Sequence, residues 1–319
     1  MALDSPRFPL HVSAMPFHIP AISRREFLVR TLAGGAGALA LRDVRADGIQ
    51  VDPDFWALYS DSHIAGSTAQ VWRGEAMYDN ARRVNREMFG MPKRPCGLIH
   101  FGDCAFKEGL AADYVTFQST IRAMPQSGIP VHLMVGNHDE RETFWQVLSK
   151  ETAGPRPIAS RHVSIVEHAR ANWFLLDSLE KTDESAGSVG ATQCAWLANE
   201  LDARADRPAL VCVHHDPLVG SKADKESGLT DTQALLDVIV PRRHVKALIF
   251  GHTHTWKLSM LGDLHFVNLP AVGYPSKSGS PTGWVACFLK ADGMRLGLHS
   301  RDPRHKDHLR PIELTWRRA

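Results

Sequence analysis

The sequence has little of what marks several specialised classes of protein. Five cysteines in 319 residues is an odd number in a long chain, which argues against a disulfide framework. Charge of neither sign is in excess: 37 Lys and Arg residues face 35 Asp and Glu residues, and a net charge of +2 is too small to hold a polyanion by charge alone. With 8% aromatic and 44% hydrophobic residues, the composition is that of an ordinary globular protein, and nucleic acid is not an expected partner.

A long hydrophobic run is also missing from the first 46 residues, although they carry an apolar segment. Residues 31–41 are rich in Gly, Ala and Leu but are shorter than the ~20 apolar residues that a membrane helix needs, so no stable membrane span is expected. The segment follows the twin-arginine pattern Ser23-Arg24-Arg25-Glu26-Phe27-Leu28 and precedes Val44-Arg45-Ala46, which has the form of a cleavage site. This arrangement resembles a bacterial Tat export signal.

That resemblance divides the chain into a Tat signal peptide, residues 1–46, and a single domain, residues 47–319. It implies contact with the Tat translocase and export, with the periplasm as the expected location. An uncleaved anchor or an unstructured basic N-terminus is the alternative. The residues before Ser23 are rich in proline and have no periodic pattern. Without residues 1–46 the chain loses six arginines and three acidic residues, and its net charge becomes about −1.

From residue 51 onward, short apolar runs alternate with segments of helical spacing. This alternation predicts βαβ units and a largely parallel sheet. Strands are predicted at residues 55–60, 97–101, 130–135, 163–167, 173–177 and 209–213, and helices at 75–89, 110–124, 141–148, 193–204 and 231–240. The last third has predicted strands at 246–250, 256–260, 264–268, 284–289 and 295–300 with short connections, which indicates antiparallel pairing. Residues 301–318 are expected to form a solvated basic terminus.

The chain is rich in histidine, with 17 residues, and polar residues cluster where predicted strands end. Five clusters follow apolar runs: Asp61-Ser62-His63, Gly102-Asp103, Gly136-Asn137-His138-Asp139, His214-His215-Asp216-Pro217 and Gly251-His252-Thr253-His254. In an open parallel sheet, binding sites form outside the carboxyl ends of the strands. We therefore expect these side chains to converge, with Asp61 and His63 on one side of their strand through its period of two. Glycine before three of the clusters is expected to allow tight turns.

The order and spacing of these clusters, from Asp61 to His254, resemble the calcineurin-like metallophosphoesterase superfamily. The resemblance implies an α/β fold, namely a four-layer α/β/β/α sandwich with mixed sheets. It also implies a centre of two metal ions, drawn from Fe, Mn, Zn and Co. The implied metal ligands are Asp61, His63, Asp103, Asn137, His214, His252 and His254, with Asp103 shared between the two ions.

The same resemblance implies a reaction. Two metal ions would clamp the attacking and leaving oxygens of an in-line displacement at phosphorus, with a hydroxide between the ions as the nucleophile. His138 would face the phosphoryl oxygens or protonate the leaving group, or else orient its loop through a hydrogen bond. Asp139 would hold His138 in the required tautomer, or cap the helix that begins near Glu140. His138 and Asp139 are therefore the candidate catalytic residues.

Departures from related motifs narrow the expected activity. Phe106 stands where purple acid phosphatases have a Tyr ligand, and Cys104-Ala105-Phe106-Lys107 replaces the Val-Asp-Arg-Gly run of protein Ser/Thr phosphatases. Asp139-Glu140-Arg141 and Leu176-Asp177-Ser178 are similar to bacterial cyclic-nucleotide and glycerophosphodiester phosphodiesterases. The expected function is therefore hydrolysis of a small phosphodiester. The alternatives are a phosphomonoesterase of the same fold and a metal-stabilised binding protein with little activity.

Two further features bear on the substrate. Asp216 departs from the usual His-His-Pro-Pro run of the similar phosphodiesterases and affects the expected loop shape and substrate preference, not metal binding. Trp72, Arg73 and Tyr78 follow the first motif and either line a substrate entrance or pack against a helix.

Overall fold

A seven-stranded mixed sheet forms one half of the core of this computed structural model, which describes residues 18–22, 50–148, 156–217 and 227–318. Its strands are β1 (His18–Ile19), β2 (Val51–Tyr59), β5 (Arg94–His100), β6 (Val131–Leu133), β13 (Gly283–Leu289), β14 (Gly293–Ser300) and β15 (Pro311–Thr315). Their spatial order is β1-β6-β5-β2-β13-β14-β15. Strands β2, β5 and β6 are parallel, and the other strands pair antiparallel with their neighbours.

A six-stranded mixed sheet forms the other half. Its strands are β7 (Ser164–Val166), β8 (Asn172–Leu175), β9 (Ala209–Cys212), β10 (Val245–Phe250), β11 (Lys257–Leu261) and β12 (Leu264–Asn268), in the spatial order β11-β12-β10-β9-β8-β7. Strands β8, β9, β10 and β12 are parallel, and the edge strands β7 and β11 are antiparallel to their neighbours. A separate short hairpin consists of β3 (Val71–Trp72) and β4 (Glu75–Ala76).

Helices cover the outer face of each sheet. The helices are α1 (Met77–Phe89), α2 (Ala111–Ile121), α3 (Ala123–Gln126), α4 (Arg141–Leu148), α5 (Ala191–Ala203) and α6 (Thr232–Ile239). Apolar side chains of α1 to α4 share one core cluster with the outer face of the seven-stranded sheet, and those of α5 and α6 share another with the six-stranded sheet. A third cluster lies between the two sheets. The predicted four-layer α/β/β/α sandwich is therefore confirmed.

Residues 55–59 of strand β2 illustrate why the central strands are apolar where they cross the core. Phe55, Ala57 and Tyr59 belong to the cluster under the helices, whereas Trp56 and Leu58 belong to the cluster between the sheets. Because both faces are buried, the strand shows a continuous apolar run and not a polar alternation. The Trp56 ring meets Trp173 of β8 with ring centroids 5.3 Å apart, which joins the two sheets directly.

The structure corrects two predictions about the last third of the chain. The predicted antiparallel arrangement is wrong for β12, which is parallel to β10. The reason is that β11 takes the outer edge of the sheet, so the chain returns between β11 and β10 in the direction of β10. Residues 301–318 are not simply a solvated terminus, because β15 pairs with β14 and Arg317 is buried against the backbone carbonyls of Ile239, Arg242 and Val245.

The N-terminal segment holds an unexpected element. His18 and Ile19 form edge strand β1 on β6, and the buried Ile19 side chain joins the core under the helices. The Ile22 backbone N–H also donates to the carbonyl oxygen of Pro125, at 2.9 Å. The twin-arginine pattern, the apolar segment and the predicted cleavage site lie outside the described residues. Within the described ranges, no helix is long and apolar enough to cross a membrane.

Candidate metal centre

All seven predicted ligands lie at the carboxyl ends of central strands, at the edge shared by both sheets. Asp61 and His63 follow β2, Asp103 follows β5 and Asn137 follows β6. From the other sheet, His214 follows β9, and His252 and His254 follow β10. Strand-end placement was the basis of the prediction, and the structure brings all seven side chains together.

Five of the seven predicted ligands have a left-handed backbone conformation. Asp61, His63, Asp103, His252 and His254 have φ between 48° and 67°, a region that costs non-glycine residues of order 1–3 kcal/mol each. The predicted reason for the proximity of Asp61 and His63 is therefore wrong. Strand β2 ends at Tyr59, and the left-handed backbone at Asp61 and His63, not the period of a strand, brings the two side chains together.

The glycines before the clusters serve two different purposes. Gly102 has φ of 93° and allows the predicted tight turn. Gly136 is needed for close approach, because a Cβ atom there would lie 2.2 Å from Oδ1 of Asp103. Gly251 likewise passes so close to Asp61 that a Cβ atom would lie 2.6 Å from Oδ2 of that carboxylate. The two glycines thus leave room for the carboxylates of the centre.

Four side chains form the first group: Asp61, His63, Asp103 and His254 each offer one ligand atom, and these atoms lie within 4.8 Å of one another. Nε2 of His254 lies 3.4 Å from Oδ1 of Asp61, and Nε2 of His63 lies 3.6 Å from Oδ2 of Asp103. Asp61, His63 and Asp103 are at most 1% exposed.

Asp103 also belongs to the second group, with His214 and His252. Its Oδ2 atom, already close to His63, lies 3.4 Å from Nε2 of His214. The amide oxygen of Asn137 completes this group, at 3.2 Å from Nε2 of His214 and 2.9 Å from Nδ1 of His252. One carboxylate oxygen is therefore placed between the two groups.

Backbone carbonyls fix the tautomer of all four histidines. Nδ1 donates to a carbonyl oxygen in three of them, from His63 to Phe106 (3.2 Å), from His214 to Phe101 (2.7 Å) and from His254 to Tyr274 (2.7 Å). In His252 it is Nε2 that donates, to Ser227 at 2.8 Å. A carbonyl can only accept, so the proton of each neutral ring lies on the nitrogen that faces away from the centre. The other nitrogen is then available to a metal ion, as metal-ligating histidines require.

The donor atoms of the centre fit cations. Nε2 of His63 and Nε2 of His254 lie 3.0 Å apart, and both carry a lone pair when the two rings are neutral. Nδ1 of His252 and the amide oxygen of Asn137 are likewise two acceptors, 2.9 Å apart. Such contacts repel unless a cation or a proton lies between them, and two buried carboxylates are costly unless paired. Imidazole, carboxylate and amide donors together suit divalent transition metals.

Burial and the carboxylates shift the histidine pKa values in opposite directions. Burial lowers the pKa of His63 to about 3 and that of His252 to about 4, which keeps both rings neutral. Burial also disfavours the charged form of His214, but Asp103 outweighs it and raises the pKa of His214 to about 9. Binding of a metal ion at His214 would therefore release a proton.

The two candidate catalytic residues are held differently. Nδ1 of His138 lies 3.1 Å from the Lys107 carbonyl oxygen and 3.1 Å from Oδ1 of Asp183, and the residue lines the cleft above the centre. The Asp139 carboxylate accepts backbone N–H groups of Cys104, Ala105 and Gly136.

The sequence predicts two alternative roles for Asp139, as the partner of the His138 ring or as a helix cap. The structure shows that both are wrong. Asp183 and a carbonyl hold the His138 ring, and Glu140 caps helix α4 by accepting from the Thr143 N–H at 2.7 Å. Asp139 instead ties the loop of Asp103 to the loop of Asn137. Burial, with the nearby Asp103, raises the pKa of Asp139 to about 6.

A cleft of about 240 Å³ opens above the centre. Its lining includes Arg73 and Tyr274 besides Asp103, Asn137, His138, His252 and His254. A place at the substrate entrance is one of the two roles that the sequence predicts for Arg73, whereas Tyr274 and Asp183 are not predicted from the sequence. Both missed residues lie in loops without a motif, and only the folded chain places them at the site.

Comparison with known proteins agrees with this geometry. Residues 57–256 match the sequence profile of the calcineurin-like phosphoesterases, over more than half of the chain. The chain belongs to the calcineurin-like phosphoesterase family. As a calcineurin-like phosphoesterase it is a metal-dependent hydrolase, and its Asp and His cluster is compatible with a dinuclear metal site.

Curated relatives of this calcineurin-like phosphoesterase include several phosphodiesterases. A cAMP/cGMP dual specificity phosphodiesterase of Mycobacterium tuberculosis is 25% identical over 252 residues, which cover 78% of this chain and 73% of the relative. A 3′,5′-cyclic adenosine monophosphate phosphodiesterase of Pseudomonas aeruginosa is 26% identical, covering 69% and 77%. A glycerophosphodiester phosphodiesterase of Enterobacter lignolyticus is 24% identical, covering 66% and 75%.

The fold of this calcineurin-like phosphoesterase also occurs in solved structures. A dimetal phosphatase from Danio rerio aligns with a TM-score of 0.64 at 15% identity, covering 83% of this chain and all of the other. PhoD aligns with a TM-score of 0.54 at 12% identity, covering 79% and 66%. At these identities the likeness concerns the fold alone.

Proposed function

We propose that this protein hydrolyses small phosphodiesters at a centre of two metal ions. The observation that carries the proposal is the position of Asp103, whose single Oδ2 atom faces His63 of one ligand group and His214 of the other. Two cations a few ångströms apart repel each other, so a shared carboxylate is what a dinuclear centre needs.

The ligand groups divide between the two ions. Asp61, His63, Asp103 and His254 would hold one ion, and Asp103, Asn137, His214 and His252 the other. Bound there, the ions would polarise the phosphoryl oxygens and lower the pKa of water to near neutrality. The donor set suits Mn, Fe, Co and Zn.

The side chains around the centre would bind the substrate and move a proton. With Nδ1 of His138 engaged by the Lys107 carbonyl and Asp183, Nε2 is the ring nitrogen left for the substrate. From the cleft lining, and with both ring nitrogens protonated, Nε2 would donate a hydrogen bond to a phosphoryl oxygen or its proton to the leaving alkoxide. Asp139 is a positioning residue, because it holds the Asp103 and Asn137 loops together through backbone N–H groups.

A small diester is the proposed substrate for two reasons. A cleft of about 240 Å³ has room for a small ester. The relatives named as phosphodiesterases act on cyclic nucleotides or glycerophosphodiesters according to their names, and they match this chain over most of its length.

The test is metal content together with substrate preference. Purified full-length protein loaded with Mn or Zn should contain about two metal ions per chain, and it should cleave bis(p-nitrophenyl) phosphate faster than p-nitrophenyl phosphate. Asp103→Asn should lose metal and activity together, whereas Asp206→Asn, an exposed residue of the loop after α5, should lose neither.

Other outcomes identify the alternatives. Faster cleavage of the monoester would point to a phosphomonoesterase. A fully loaded protein that cleaves neither ester would be a metal-stabilised binding protein, and the proposal would fail.

We also propose where in the cell the protein is located. Residues 1–46 would direct export through the Tat translocase to the periplasm, with residues 47–319 as a single domain. The support is the pattern Ser23-Arg24-Arg25-Glu26-Phe27-Leu28 with its apolar segment and Val44-Arg45-Ala46. Replacing Arg24 and Arg25 by Lys should retain the protein in the cytoplasm, as cell fractionation would report. Normal export of that variant would contradict the proposal.

A further inference from the structure

The cationic side chain of Arg73 lies at the mouth of the cleft and takes no part in the metal centre. Arg73 occupies the two-residue turn of the β3–β4 hairpin, in which Val71 pairs with Ala76 and Trp72 with Glu75. Arg73 and Gly74 have φ of 51° and 81°, the conformation of a type I′ turn. Asn, Asp and Gly are the residues that favour this turn, so Arg at its first position is there at the expense of local strain.

The hairpin is fixed to the loops that hold the centre. The Trp72 ring packs edge-on against Phe106 at 5.6 Å, and the Phe106 carbonyl orients His63. Tyr274, over whose ring the Arg73 guanidinium lies, orients His254 through its carbonyl. On the other strand, Glu75 accepts from Arg301 at 3.0 Å. The turn therefore has a defined position relative to the metal centre.

The guanidinium of Arg73 faces the cleft, where no acidic partner holds it. It lies 5.5 Å from the centre of the Tyr274 ring, which itself packs on His63 and His254 at 4.7 and 4.5 Å. Among the described residues that line the cleft, Arg73 alone carries a permanent positive charge, and the one carboxylate of the lining, Asp103, belongs to the metal centre. Over the part of the chain that the structure describes, Arg73 forms no ion pair within 4.0 Å.

We propose that Arg73 is a substrate-binding residue that pairs with the anionic oxygens of the phosphoester at the cleft mouth. Guanidinium groups match phosphate oxygens in geometry and charge. The interaction is made in the bound substrate and in the transition state alike, so it sets affinity and not the rate of the bound complex. This inference rests on the proposed phosphoesterase function and assigns a residue to substrate recognition.

Arg73→Asn separates this role from a structural one. Asn is favoured at the left-handed position, so the variant should keep or raise the melting temperature while it loses the charge. Arg82→Gln is the matched control. Arg82 is also exposed and also lies over a tyrosine ring, 5.9 Å from Tyr78, but on helix α1 outside the cleft lining.

The expected result is a change in KM with little change in kcat. Arg73→Asn should raise KM for bis(p-nitrophenyl) phosphate about tenfold, and should raise it further for p-nitrophenyl phosphate, because the second ester carries more negative charge. Arg82→Gln should behave as wild type with both esters. Metal content should be the same in all three proteins.

A second measurement does not depend on turnover. Calorimetric titration of the metal-loaded proteins with inorganic phosphate should show weaker binding to Arg73→Asn than to wild type or Arg82→Gln. Equal phosphate affinity and equal KM in Arg73→Asn and wild type would overturn the assignment, as would an equal loss in Arg82→Gln. A wild-type protein that binds phosphate through Arg73 but cleaves neither ester would refute only the phosphoesterase function.

Discussion

At the scale of single residues, His138 is distinguished from the neighbouring histidines by its exposure and its partners. The side chains of His63, His214 and His254 are at most 8% exposed and lie among other donor atoms, whereas the His138 side chain is 21% exposed and lines the cleft. Its backbone N–H donates to Oδ1 of Asp103 at 2.8 Å, so its main chain supports the metal centre while its ring is left to meet the substrate.

His138→Gln should therefore lower activity without emptying the centre. The backbone contact to Asp103 survives the substitution, and the loss of an acid group typically costs 10²- to 10⁴-fold in rate. We expect kcat to fall by roughly that factor, measured with bis(p-nitrophenyl) phosphate, while elemental analysis finds unchanged metal content. Asp183→Asn, which keeps the ring but removes its carboxylate partner, should give a smaller loss. Parallel losses of metal and activity in His138→Gln would assign it the loop-orienting role instead.

At the scale of secondary-structure elements, β1 is the part of the fold least expected from the sequence. It contributes two residues, yet Ile19 is 3% exposed and the His18 ring stacks on His132 at 4.7 Å. Truncating a buried Ile to Ala typically costs 2–5 kcal/mol, and the small size of β1 favours the lower end of that range.

We expect Ile19→Ala to lower the free energy of unfolding by about 2 kcal/mol, measured by urea denaturation of the full-length protein. Ala21→Ser, at an exposed position two residues further along, is the matched control and should change it by less than about 0.5 kcal/mol. Equal stability of both variants would mean that β1 does not support the domain in solution. A measurable loss would mean that the proposed export, if it removes residues 1–46, costs the domain an edge strand.

Secondary-structure elements could be predicted from the sequence where burial alone determines the pattern of apolar residues. Strands β2, β5, β9 and β10 are buried on both faces, so their apolar runs mark them, and the polar ligands after Tyr59 or Phe250 mark their ends. The hairpin around Arg73 and strand β15 escaped prediction because they are short and their residues are half or more exposed, so no apolar run marks them. Asp183 escaped as a partner of His138 for another reason, since it reaches the ring from a loop about 45 residues away.

At the scale of the whole molecule, the metal centre connects the two halves of the sandwich. Asp61, His63, Asp103 and Asn137 follow strands of the seven-stranded sheet, whereas the other three ligands follow strands of the six-stranded sheet. Each ligand group contains residues from both sheets. Metal ions bound there would cross-link the sheets at one edge, in addition to the apolar cluster between them.

Chelation should accordingly destabilise the whole fold and not merely inactivate it. A ligand that binds only the folded state stabilises it by about 2.7 kcal/mol when present at 100 times its dissociation constant. We expect EDTA to lower the melting temperature by several degrees in calorimetry and restored metal to reverse the change. The effect should be absent in Asp103→Asn, which lacks the shared ligand, and retained in Arg73→Asn, whose substitution lies outside the centre. A melting temperature unaffected by EDTA, with the metal verifiably removed, would show that the apolar cluster alone holds the two sheets together.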